Sequence, residues 1–210
     1  MVEQLIDEAG GDIARAEAGI EGNERLTAAT GAVLVVLLAA EGVTILSVRD
    51  LLSPHVFIGM VVAALAVTKL ASVGYRFARY YLGDPAYIRK GAPNVVLRVD
   101  GPIVVLTTIA VLATGIGGLA AGRSARWLID LHKASFILWF VAMTVHVVGH
   151  VVDTPRLAAA DYRPERDAAA VAGGWLRRLA TVSTLATGLV LGYVAVNSGW
   201  MDGWRHLAER

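Results

Sequence analysis

Five runs of roughly 20 or more mainly apolar residues dominate this chain of 210 residues. They fall at about 26–48, 54–76, 101–122, 127–152 and 179–200. A helix of about 20 apolar residues spans the hydrocarbon of a bilayer, where only internal hydrogen bonds can satisfy the backbone. The expected fold is therefore all-α: a polytopic membrane bundle of about five transmembrane helices, four of which form the core. Composition agrees, with 56% hydrophobic residues and a mean hydropathy of +0.57. Soluble domains usually hold about 45–50% apolar residues.

Charge sets the ends. Residues 1–25 carry seven acidic side chains against Arg15 and Arg25, so they read as an acidic tail rather than a basic secretory leader. Short interfacial helices broken at Gly10-Gly11 are expected there, and residues 201–210 form a second tail. Ser53-Pro54 reads as a helix start, Gly83-Asp84-Pro85 as a stop and Gly101-Pro102 as the opening of the third span. Trp127, Trp175, Trp200 and Trp204 sit near predicted ends, as an interfacial belt requires. The loops after spans two and four hold Arg76, Arg79, Arg89, Lys90, Arg98, Arg156, Arg163, Arg166, Arg177 and Arg178. The positive-inside rule places those loops and the N-terminus in the cytoplasm, in a multi-pass plasma or inner membrane.

Several chemistries drop out. Net charge is +1, which leaves no general basic face for nucleic acid. With no cysteine there can be no disulfide, thiolate zinc site, cysteine-bound iron–sulfur cluster or covalent c-type haem. Walker A, GxSxG and HExxH patterns are missing. A redox cofactor would need histidine.

Four of the five histidines lie in or at the ends of predicted spans, and ionisable groups there usually mark function. His55 opens span two and His132 opens span four. Those spans run in the same direction, which puts both imidazoles at one depth, just inside the outer surface. One nitrogen from each of two facing helices is what a bis-histidine haem requires. His146 follows His132 by 14 residues, about 21 Å at 1.5 Å per residue and four turns of a left-handed bundle. The same step from His55 reaches Lys69, an amine. Interfacial histidines bonded to headgroups or loop carbonyls are the bland alternative. His150, one turn past His146, reads as a wet interfacial residue, and His206 as a solvated tail residue.

Pro54-His55, His132-Lys133 and the 14-residue step to His146 make residues 30–152 resemble transmembrane b-type cytochromes: the b561, ferric-reductase and quinol-oxidising cytochrome b group. The resemblance implies a helical bundle with haem b on His55 and His132, and a second haem at His146, where Lys69 departs from the fourth histidine of the pattern. It further implies electron transfer between the quinone pool or a partner redox subunit and an acceptor, as the subunit of an oxidoreductase. Lys69, Arg76 and Arg79 are then candidates for the haem propionates. Gly59 and Gly115 are candidates for close approach of the macrocycle, although small residues also serve helix packing. Glu41, within span one, is either a proton acceptor for quinol oxidation or a protonated structural carboxyl. Ser135 is either a supporting donor to His132 or bonded to its own helix. The rival class is a haem-free transporter, channel or scaffold, with Glu41, Lys69 and the histidines forming a proton or ion path.

Overall fold

The computed structural model describes residues 2–91, 94–160, 173–202 and 204, without the side chains of 2–10, 12 and 123. Within them the fold is all-α. In chain order the helices are α1 (Val2–Leu46), α2 (Leu52–Tyr81), α3 (Pro85–Lys90), α4 (Val95–Ala121), α5 (Arg126–His150), α6 (Asp153–Ala160) and α7 (Gly174–Asn197). Five of them, α1 from Ile13 onwards with α2, α4, α5 and α7, are long and apolar enough to cross a membrane. In their most apolar windows only 17–28% of residues are buried inside the bundle. The remaining apolar surface needs lipid, so the chain is a multi-pass membrane protein.

Two sub-bundles divide the helices. In one, α1 and α7 both pack on α2, around Leu34, Val61, Val62 and Leu65. In the other, α4 packs on α5. Small residues permit the close approaches. A methyl at Gly188 of α7 would lie 2.9 Å from Val61 Cα, and one at Gly192 would lie 2.8 Å from the Phe57 carbonyl. Thr68 and Thr184 join α2 to α7 at 3.0 Å, and Trp139 Nε1 donates to Thr108 across α4–α5 at 3.0 Å. Between the sub-bundles α2 touches α4 only lightly, and α2 and α5 scarcely meet. The result is a seam.

Several boundaries differ from the sequence expectations. Helix α1 runs unbroken through Gly10-Gly11. Its polar stretch is held by neighbours: Ile20 packs against Ala86 and Tyr87, Asn23 bonds Ser72, and Glu24 pairs with Arg76 (3.4 Å) and Lys90. Those contacts fix α1 from Ile20 onwards. Helix α2 begins at Leu52 with Leu51 rather than Ser53 as its cap. Pro54 therefore falls within the first turn, where the missing N–H had no intrahelical partner anyway. Gly83 does end that helix, at φ +88°, and Asp84 caps α3 through Ala86 N. Helix α4 starts at Val95, capped by Asn94, so Pro102 lies inside it rather than at its start.

Candidate functional site

At the α1–α2 end of the seam, His55 of α2 faces His132 of α5. Their ring centroids are 6.3 Å apart and the planes are inclined at 78°. Equal depth on parallel helices thus brings the two rings together across the seam.

Each imidazole is held by its Nδ1. For His55 the partners are Glu41 Oε1 at 2.9 Å and Thr44 Oγ1 at 3.0 Å, both from α1. Thr44 spends its only hydroxyl proton on the Glu41 carbonyl, 2.6 Å away, so it can only accept from His55. For His132 the partner is the Val111 carbonyl of α4 at 2.8 Å, again an acceptor only. Both networks place a proton on Nδ1. In the neutral ring Nε2 then carries the lone pair that binds a metal. Metal-binding histidines are usually oriented in this way, by a carboxylate or carbonyl on the far nitrogen.

The two glycines expected near a macrocycle serve the side chains instead. A methyl at Gly115 would lie 2.9 Å from His132 Cε1 and 3.1 Å from its Nδ1, so glycine admits the ring against α4. A methyl at Gly59 would lie 3.3 Å from Glu41 Oε1. Ser135 donates to the His132 carbonyl at 3.0 Å and is 3.4 Å from Thr114 Oγ1. Its first bond is therefore to its own helix.

A second polar group occupies the seam at the α3 end. His146 Nδ1 lies 3.3 Å from Asp100 Oδ2, and the His150 ring is 4.7 Å from that of His146. Lys69 is within electrostatic reach of both histidines and donates to the Thr27 carbonyl at 3.2 Å. Among the described residues no imidazole of another helix is paired with His146, whose ring neighbour, His150, is on its own helix. Arg76 is engaged with Glu24, and Arg79 pairs with Asp84 and lies over Tyr75 and Tyr87. Both sit some 21 or more residues along α2 from His55, about 30 Å at helical rise, so neither reaches the His55–His132 pair. His206 lies outside the described residues.

Sequence reading missed Asp100, which it placed in a loop before the third span. Because α4 begins five residues earlier, this carboxyl is buried, with 7% exposure. The signal available was the cap at Asn94. Thr44 and the Val111 carbonyl were also missed, and no pattern announces them. Among the described residues no cluster of three or more His, Cys, Asp or Glu is arranged to hold a metal ion by itself. A shallow apolar groove of about 520 Å³, lined by Asn94–Leu97 with Thr144, Val145, Val148 and Gly149, carries no ionisable group. The chain matches no protein-family model, no curated protein and no solved structure.

Proposed function

We propose that this protein is a membrane-bound b-type cytochrome that carries electrons through one haem b held between His55 and His132. The observation that carries the reading is the facing pair of imidazoles with both Nδ1 atoms occupied. The His55 and His132 ring centroids stand 6.3 Å apart, close enough that one iron could take a nitrogen from each. Haem needs no more than two ligands from the protein, and His55 and His132 would supply them. His55 and His132 project from α2 and α5, which scarcely touch, and cofactor sites of helical bundles are built from side chains on facing helices.

Haem b supplies a reversible one-electron change at its iron. The chain's own residues do the rest. His55 and His132 would hold it through Nε2, while Glu41 and Thr44 hold the first ring and Val111 and Gly115 the second. Glu41 then acts as an orienting acceptor for His55. Under the positive-inside reading this end faces away from the cytoplasm. Electrons would enter from the quinone pool or a partner redox subunit.

The second polar group supports a rival reading, since Asp100, His146, His150 and Lys69 line the same seam as an ion or proton path would. One assay separates the two. Protein purified from haem-replete cells should contain one haem b per chain by pyridine haemochrome, lost in both His55→Ala and His132→Ala. A colourless preparation overturns the cytochrome reading and favours the path.

A further inference from the structure

The α3 end of the bundle holds more cations than its carboxylates answer. Glu24 pairs with Arg76 and Lys90, Asp84 with Arg79, and Asp100 with His146. Arg89 and Arg98 are both exposed, and neither has a carboxylate partner among the described residues. Arg98, in the first turn of α4, donates to the Tyr81 hydroxyl at 3.4 Å and lies close to Tyr80. Phenols are neutral at physiological pH, so this guanidinium keeps an uncompensated charge.

A lone surface cation is ordinarily just solvated. This one stands beside the apolar groove of about 520 Å³ that runs between the first turn of α4 and the last turns of α5. Asn94 and Val95 line the groove, and Arg98 follows them by four and three residues, which puts it on their side of the helix. Asn94 spends its Oδ1 on the Leu97 N–H at 3.0 Å, so its amide can still donate. On the two walls Val95 and Val148 are 77% and 69% exposed. Both belong to helices that cross the membrane. The occupant of an apolar groove in that position comes from the bilayer, and the charge at its edge selects a negative headgroup.

We propose that this groove seats an acidic phospholipid, with an acyl chain between α4 and α5, its phosphate on Arg98 and Asn94, and Arg89 adding to the attraction. Under the positive-inside reading this end meets the cytoplasmic leaflet, whose surface is negatively charged. The site lies at the opposite end from the His55–His132 pair and is independent of what that pair binds.

The test titrates detergent-solubilised protein with tail-labelled fluorescent phosphatidylglycerol and with phosphatidylcholine carrying the same tail. A juxtamembrane arginine attracts acidic lipid by about fivefold, so wild-type protein should prefer phosphatidylglycerol by at least that ratio, and less at high salt. Arg98→Gln should bring the ratio down by about fivefold. Arg98→Lys, which keeps the charge, should retain the preference, as should Arg126→Gln at the other end of α5. Val148→Trp, which fills the groove, should weaken both lipids alike. Water-soluble glycerol phosphate should not displace the probe. Equal affinity for the two lipids in wild-type protein, a preference that survives Arg98→Gln, or one lost in Arg126→Gln overturns the headgroup assignment. Unchanged binding in Val148→Trp overturns the groove, and displacement by glycerol phosphate shows a site for free anions rather than lipid.

Discussion

Gly115→Ala isolates the contact between α4 and His132. The added methyl would stand 2.9 Å from His132 Cε1 and 3.1 Å from its Nδ1, closer than carbon atoms normally approach. The ring cannot retreat without stretching its 2.8 Å bond to the Val111 carbonyl. Overpacking of this kind costs about 1–3 kcal/mol, and the weakened hydrogen bond adds about 0.5–1.5 kcal/mol. Against this, alanine in place of a mid-helix glycine returns up to about 1 kcal/mol. With the full propensity return, the terms leave about 0.5 kcal/mol of destabilisation at the low end of their range and about 3.5 kcal/mol at the high end. Haem affinity has no such compensation. A displaced Nε2 should cost about tenfold per 1.4 kcal/mol of lost ligation. Gly31→Ala is the control. Its methyl would lie 2.6 Å from Lys69 Nζ, but that atom ends a flexible chain and can swing aside. Thermal melts and haem titrations of the two variants should diverge: affinity falls at least tenfold in Gly115→Ala and hardly changes in Gly31→Ala. Equal affinities in the two would refute the proposed ring placement.

Three further outcomes follow from the same geometry. Gly188→Ala should lower the melting temperature in detergent clearly, because its methyl would meet Val61 Cα at 2.9 Å and backbone cannot yield, whereas Gly74→Ala, with nothing within 4 Å, should be neutral or slightly stabilising. His146→Ala should retain one haem per chain and its visible spectrum, and loss of half the pigment there would instead reveal a second haem at Asp100 and Lys69. Glu24→Gln should change the melting temperature little, by less than about 1 kcal/mol in stability and less still at high salt, since Arg76 and Lys90 are substantially exposed; a large, salt-independent loss would show that the foot of α1 matters more than its ion pairs.

The five spans were legible because a bilayer imposes a length and a polarity that local sequence alone can meet. Equal depth for His55 and His132 was legible for the same reason: each stands a few residues inside a helix whose start is marked. Boundaries set by partners were less so. The foot of α1 looked like a broken tail until Ile20, Asn23 and Glu24 were seen to seat on α2 and α3. Asp100 looked like loop until Asn94 proved to be the cap of α4.

Which atoms meet across the seam was beyond linear reading. A helix period says which face a residue shares with its own neighbours, but not which helix that face will meet. Glu41 and Thr44 reach His55 because α1 packs on α2, and the Val111 carbonyl reaches His132 because Gly115 lets α5 close on α4. The membrane topology is thus written along the chain, in hydrophobic length and flanking charge. The acceptors that hold the two imidazoles by Nδ1 come from residues 14 and 21 positions away. Only packing of the folded bundle could bring these together.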